Sequence, residues 1–262
     1  MEQTVQKALN LLEALIRSGQ PRRLTELARQ LDLTKPNVYR LLSTLTALGY
    51  VKKDPVTTLY SPTLKVWELG SLLVRDVDLV AVAQPHLRRL CEQSRESVQL
   101  AVFDSGFGVY VDKVDSPQPL KAITSIGSRV PASIISTGKA LLAWLPPDAL
   151  DQAMAHLKRY TPLTLIQRKD IERDLEQTRQ RGYAVNRGEF RMGVCGIAAP
   201  VRDRTGAVVA ALGVWGAEKA MLGPRHEELA RMVTATARDV SRDLGYVEAH
   251  NASARVAAAV EA

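Results

Sequence analysis

Residues 24–49, LTELARQLDLTKPNVYRLLSTLTALG, restrict the fold of this chain more than any other stretch. Leu24, Leu27, Ala28 and Leu31 recur at spacings of three and four, which gathers them on one helical face and leaves Glu26, Arg29 and Gln30 outside. Asp32 and Leu33 form a turn. Thr34 stands where an N-cap belongs, and Pro36 falls in the first turn of a second helix, where its missing N–H removes no helical bond. The inward stripe of that helix is Val38, Leu41, Leu42, Leu45 and Leu48, and Gly49 is suited to a left-handed C-cap. Two short amphipathic helices joined this way read as a helix-turn-helix.

In such a motif the second helix enters the major groove with its N-terminal residues facing base edges. The outward surface here is Lys35, Pro36, Asn37, Tyr39, Arg40, Ser43 and Thr44, preceded by Thr34. Asn can pair with adenine and Arg with guanine through two hydrogen bonds each, whereas Lys35 and Tyr39 suit phosphates, which fix register without reading sequence. An ordinary helical hairpin with a solvated polar face has the same pattern. The residues after Gly49 favour the DNA-binding reading. Tyr50–Val51–Lys52–Lys53 and Thr57–Tyr60 flank an Asp54–Pro55 turn, a hairpin signal that converts the motif into a winged helix. Lys52 and Lys53 on the wing, with Arg22 and Arg23 ahead of the motif, can approach phosphates. Upstream, Val5, Ala8, Leu9, Leu11, Leu12, Leu15 and Ile16 make the buried face of a further helix ending at Ser18–Gly19, which completes a three-helix core.

The charge distribution agrees. The chain has 262 residues and a formal charge of +7; residues 1–75 carry a net +5, so the remaining 187 are nearly neutral. A basic small head on a neutral body fits a polyanion-binding domain attached to one with another task. No stretch is apolar enough to cross a membrane and the N-terminus lacks the apolar segment of a secretion signal, so a cytoplasmic location is expected. Cys91 and Cys195 are read as reduced thiols, and His86, His156, His226 and His250 form no metal-ligand spacing; neither a metal nor a cofactor is expected.

Residues 64–76 read as a linker helix and a further helix covers 77–94, with Pro85 as a break or a fresh start. From Ser97 the pattern becomes mixed. Strands are expected at 98–103 and 109–114 around Asp104–Gly108, and a third at 121–126. A helix through Gly138–Leu145 is stopped by Pro146–Pro147, and helices follow at 148–158 and 170–181. Strands at 194–201 and 208–215 and a long helix from Pro224 to about Tyr246 close the domain; the Ala-rich 248–262 is expected to be a loose tail. The fold class is therefore α+β: an N-terminal winged helix-turn-helix domain over 1–63, the linker helix, and a GAF-like mixed domain over 77–247.

The phrases Lys35-Pro-Asn-Val-Tyr-Arg-Leu-Leu, Val111-Asp-Lys-Val-Asp-Ser-Pro, Gly127-Ser-Arg-Val-Pro, Thr137-Gly-Lys-Ala-Leu-Leu-Ala, Arg181-Gly-Tyr-Ala-Val and Gly193-Val-Cys-Gly-Ile-Ala-Ala-Pro-Val occur in an order that resembles the IclR family of bacterial transcriptional regulators. The resemblance spans about residues 3–245. It implies a regulator that binds a palindromic double-stranded DNA operator, assembles as a homodimer and in many cases as a dimer of dimers, contacts RNA polymerase when it activates, and senses a small organic acid in its C-terminal domain. The effector site implied by the family comprises Ser133, Ile135, Ser136, Thr137, Asn186, Arg187, Glu189, Cys195, Gly196, Gly213 and Trp215.

Independently of the family, Ser136 and Thr137 stand where a helix begins, so free N–H groups and the helix dipole are offered to a carboxylate; the alternative is that both hydroxyls only cap the helix. The chain departs from the family where the usual cysteine falls on Gly196 and where Gly213 and Trp215 replace serines. Losing small polar groups and gaining an indole favours an aromatic acid over glyoxylate or pyruvate. Two other classes compete. Ser136-Thr-Gly-Lys139 matches the S-x-x-K pattern of penicillin-binding proteins, but the companion motifs are absent, and Cys195 has no histidine near it in sequence, so hydrolase activity is disfavoured and no enzyme is expected. The other is a DNA-binding protein whose second domain serves only assembly.

Overall fold

The computed structural model describes residues 3–69, 79–116 and 125–247. The chain divides into two compact units, Met1–Val77 and Asp78–Ala262.

In the first unit, helices α1 (Gln3–Arg17), α2 (Leu24–Gln30) and α3 (Lys35–Ala47) enclose a core of Leu11, Leu12, Leu15, Leu27, Val38, Leu41, Leu42 and Leu45. The stripes expected of α2 and α3 form that core. Gly49 takes φ +78°, with Tyr50 N–H donating to the Leu45 carbonyl at 2.9 Å and Gly49 N–H to that of Thr46 at 3.0 Å, a Schellman end that stops α3 and aims the chain into the wing. The wing pairs β1 (Val51–Lys53) with β2 (Tyr60–Pro62), and Asp54 organises its tip by accepting from Val56 and Thr57 N–H at 2.9 and 2.7 Å. Arg22 adds a bridge to Tyr60 on the other side of β2. Four apolar residues assigned to the core are instead exposed: Val5, Leu9, Ile16 and Leu48. The apolar arc of α1 is wider than the face that α2 and α3 cover, and Leu48 lies at the C-cap, where the chain has already turned away. Residues 65–69 are helical, as expected of the linker, and 70–76 lie outside the described residues.

The second unit is built on six strands, β3 (Ser97–Asp104), β4 (Phe107–Val114), β5 (Arg129–Pro131), β6 (Ala184–Arg187), β7 (Val194–Arg202) and β8 (Val208–Ala217). They form one antiparallel sheet in the order β5-β4-β3-β8-β7-β6. Strand alternation sends Val98, Leu100, Cys195, Ile197, Ala199, Leu212 and Val214 to one face, where they pack with Leu79, Leu87 and Leu90 of α4 (Leu79–Ser94) and with Leu229, Val233 and Val240 of a C-terminal helix, His226–Asp243. Pro85 lies within α4 and does not end it.

The opposite face receives α5 (Ser136–Leu142), led in by a 3-10 turn at Ala132–Ile134. Ala140 and Leu141 of α5 pack on Ala184, Ala198 and Ala211. Around it lie α6 (Pro147–Ala155) and α7 (Arg168–Arg181); α8 (Glu218–Met221) and α9 (His226–Asp243) complete the unit. Gly138 admits the close approach of the 3-10 turn, since a Cβ there would lie 2.1 Å from the Ala132 carbonyl oxygen. Two expectations needed correction. Of the strand expected at 121–126, residues 121–124 lie outside the described residues and 125–126 are not in a strand, while a short strand stands at 129–131. Strand β6 had no expected counterpart, because four residues following Gly182 carry too little alternation to register. Residues 248–262 are also outside the described residues. Among the described residues no helix is long and apolar enough to cross a membrane.

Candidate functional site

The winged unit presents its polar residues as the pattern requires. Thr34, Lys35, Tyr39, Arg40, Ser43, Lys52 and Lys53 are exposed, and Asn37 is half-buried at the start of α3. Thr34 occupies the N-cap in extended conformation without a side-chain cap bond, so its hydroxyl stays on the outer surface. Arg23 is exposed at the N-cap of α2, where its N–H donates to Glu26 Oε2 at 3.3 Å. Arg22 is less available: its main chain is tied to Tyr60 and its guanidinium lies 3.7 Å from Glu26.

In the second unit the strand register brings several of the expected effector residues together. Ser97 pairs with Trp215, Trp215 with Gly196, and Gly196 with Asn186, so these four form one transverse row across β3, β8, β7 and β6. The next row on the same face is Gln99, Gly213, Ala198 and Ala184. Ser136 sits above the first row. A Cβ added to Gly196 would lie 2.7 Å from Ser136 Oγ and 3.5 Å from Trp215 Cβ, so the missing side chain is what lets the hydroxyl reach the sheet beside the indole.

The helix cap of α5 is Ile135, and no side chain makes a cap bond there. The Ser136 and Thr137 hydroxyls therefore do not serve as caps. With seven residues in α5, the dipole contribution is also small compared with what a long helix provides. Buried polar atoms on these segments that make no hydrogen bond to the protein include Ser133 Oγ and Trp215 Nε1. A buried donor left unmade costs about 1–3 kcal/mol, so each marks a place where a ligand oxygen would be favoured. Tyr110, on the same side of the sheet, is held protonated by burial, which pushes its hydroxyl well above the ordinary phenol range while Thr137 pulls the other way.

Other expected contacts sit elsewhere. Cys195 faces the opposite side of the sheet, in the core against α4 and α9, and burial pushes its thiol up to about 11. Arg187 shares that parity, as the register partner of Cys195, and is exposed. The one-residue offset between Cys195 and Gly196 reverses the face, which explains why the cysteine here cannot substitute for one at 196. Asn186 does reach the site, but as a brace: its amide donates to the Ile134 carbonyl and its oxygen accepts from Gly188 N–H at 3.1 Å.

Glu189 is committed to Lys139. The Lys139 ammonium, 1% exposed, lies 2.5 Å from Glu189 Oε2 and 2.7 Å from Asp174 Oδ2, and also donates to the Val185 carbonyl at 3.4 Å. Burial raises the Glu189 carboxyl above its ordinary range, and Lys139 offsets part of that rise. Lys139 is thus paired with two carboxylates rather than with Ser136, unlike the pairing the S-x-x-K pattern calls for. Thr161 and Thr164 hydroxyls donate to the Gly188 and Glu189 carbonyls at 2.8 and 2.7 Å. These ties escaped the sequence reading because their partners lie 25 to 50 residues apart with no shared motif. Among the described residues no group of three or more His, Cys, Asp or Glu is placed to hold a metal ion.

Known proteins share both domains. Residues 4–55 match the IclR helix-turn-helix domain and residues 72–242 the bacterial transcriptional regulator IclR C-terminal domain. The chain is 34% identical over 247 residues to the HTH-type transcriptional regulator KdgR of Escherichia coli K12, covering 93% of each. It is 30% identical over 250 residues to the transcriptional repressor AllR of the same strain, covering 95% of this chain and 92% of the relative. The IclR crystal structure from Thermotoga maritima superposes with a TM-score of 0.77 at 28% identity, covering 94% of this chain and all of that one. An IclR homologue from Microbacterium hydrocarbonoxydans, solved with 4-hydroxybenzoate, superposes with a TM-score of 0.79 at 22% identity, covering 92% and 98%.

Proposed function

The chain belongs to the IclR family of bacterial transcriptional regulators, and on that premise we propose that its C-terminal domain senses an aromatic carboxylic acid where the start of α5 meets the Trp215–Gly196–Asn186 row. The observation that carries this reading is the buried Trp215 Nε1, which has no protein partner and belongs to a residue on the same strand row as Gly196, the position over which Ser136 lies. The indole offers a ring face for stacking and an N–H for an acceptor oxygen, while Gly196 lets the Ser136 hydroxyl come down onto the same row. Ser133, Ser136 and Thr137 supply hydroxyls to a carboxylate.

The N-terminal domain binds a palindromic operator as a homodimer that can pair again. Asn37 and Arg40 read base edges, and Lys35, Tyr39, Lys52, Lys53 and Arg23 hold phosphates. An effector shifts the spacing of the two heads only by its differential affinity for the two states. If the protein activates, RNA polymerase is a further partner.

A thermal-shift titration with benzoate, 4-hydroxybenzoate, phenylacetate, pyruvate and glyoxylate tests the effector class. Saturable stabilisation is expected with an aromatic acid, reaching about 2.7 kcal/mol at a hundred times Kd. A shift with pyruvate or glyoxylate alone overturns the aromatic reading. No shift with any acid favours a second domain that serves assembly only. Arg40→Ala should weaken binding to duplexes selected from a random pool and leave the thermal shift intact, and Trp215→Ala should do the reverse.

A further inference from the structure

Lys139 is buried within α5, three residues after Ser136, and two carboxylates hold it there. A buried ammonium persists when it is paired and hydrogen-bonded, and Lys139 meets that condition through partners from two different elements. Asp174 belongs to α7 and is balanced on its other side by Arg181 at 3.9 Å. Glu189 belongs to the turn that follows β6. That turn is held on one side by Thr161 and Thr164, which bind its main-chain carbonyls. On the other side, Asn186 at the end of β6 donates to the Ile134 carbonyl ahead of α5, and Glu189 of the turn pairs with Lys139 within α5.

We propose that Lys139 is a positioning residue for the effector site, which by gripping Glu189 holds the turn after β6, and Asn186 with it, against the start of α5. The same grip pairs the Glu189 carboxylate with a cation, so that an acidic ligand nearby does not meet an uncompensated negative charge. Asp174 has a different part: it compensates the lysine from the α7 side and has no hold on the turn. This assignment rests on the reading of the Ser136–Trp215 region as the effector site, and the experiment separates the two.

Hydrogen exchange of the full-length, ligand-free protein is measured on peptides covering residues 184–193 in Glu189→Ala, Asp174→Asn and Lys139→Met. Glu189→Ala leaves Lys139 paired with Asp174, and Asp174→Asn leaves it paired with Glu189, so both keep the ammonium compensated. At least tenfold faster exchange of the turn is expected in Glu189→Ala and Lys139→Met, with Asp174→Asn within threefold of the unaltered protein. A turn equally loose in Asp174→Asn and Glu189→Ala, or fully protected in Glu189→Ala, overturns the assignment. If Lys139→Met does not fold, the contrast between the two carboxylate variants still decides. Calorimetric titration with 4-hydroxybenzoate then asks about the ligand: Asp174→Asn should bind within threefold of the unaltered protein and Glu189→Ala at least tenfold more weakly. Absence of binding by the unaltered protein counts against 4-hydroxybenzoate as a fitting probe for the site and leaves the exchange result to judge Lys139.

Discussion

Replacing Trp215 by Phe should make the ligand-free protein more stable and a worse sensor. The indole nitrogen is buried without an acceptor, although the residue as a whole is half-buried. An unmade buried donor costs about 1–3 kcal/mol, and Phe removes the donor while keeping most of the aromatic surface. Against this stands the lost area of the smaller ring, worth about 1 kcal/mol at roughly 25 cal/mol per Å². The net expectation is a gain of about 1 kcal/mol, which for a unit of this size raises Tm by roughly 2–4 °C. Affinity moves the other way. A hydrogen bond to a charged group contributes about 1.5–3 kcal/mol, so loss of the indole donor should weaken a bound carboxylate by roughly 10- to 100-fold. Calorimetry of the ligand-free protein and titration with 4-hydroxybenzoate supply the two numbers. A Phe variant that is less stable and binds as tightly as the original refutes the idea that the indole is a donor waiting for a ligand.

Other outcomes rest on the same geometry. Gly138→Ala places a methyl 2.1 Å from the Ala132 carbonyl oxygen, a backbone atom that cannot swing aside, and should cost about 3 kcal/mol or more by chemical denaturation. Burial pushes the Cys195 thiol up to about 11 and raises that of Cys91, so a chromogenic disulfide reagent at pH 8 should find neither thiol until the protein is unfolded; prompt release from the native protein would contradict the placement of both. The Asp54 carboxyl is held below its ordinary range by the Thr57 N–H, the Thr57 hydroxyl and the Val56 N–H. Its contribution is therefore complete above the unfolded value near 3.8 and is lost as pH falls through the lower folded value, so Asp54→Asn should flatten the acid limb of the wing's stability measured by circular dichroism.

What could be read from the sequence was whatever is periodic and local. The buried faces of α2 and α3, the Gly49 stop and the wing turn are each set by residues within a few positions of one another, and the structure has them as the spacing requires. Val5, Leu9 and Ile16 show the limit of periodicity, since a helix can carry more apolar surface than one domain covers. In the second unit, family resemblance named the residues of the proposed site, and strand parity sorts them between the two faces of the sheet. Gly196 and Trp215 share a face; Cys195, one residue from Gly196, belongs to the core behind it. Parity over β7 was open to inspection in the sequence, but which face met α5 was not. The Lys139 pairing was beyond reach, because nothing local tells a lysine in an apolar helix that its counterions arrive from α7 and from the turn after β6.

The middle of the six-stranded sheet is the ladder between β3 and β8, which joins Ser97–Ala101 to Ala211–Trp215. Pairings of such sequence separation carry the full entropy of closing the intervening loop and are made late. A ribosome releases the winged unit, whose last strand ends at Pro62, well before it releases β8. At about 5–20 residues per second the interval is roughly 8–30 seconds. During each round of synthesis there is thus a period in which the DNA-reading head has all of its residues and the sensor cannot yet have its central strand. Protease challenge of nascent chains released far enough to expose Pro62 but not β8 would find a resistant head and a digestible remainder, and the remainder should first resist once Ala217 has left the ribosome.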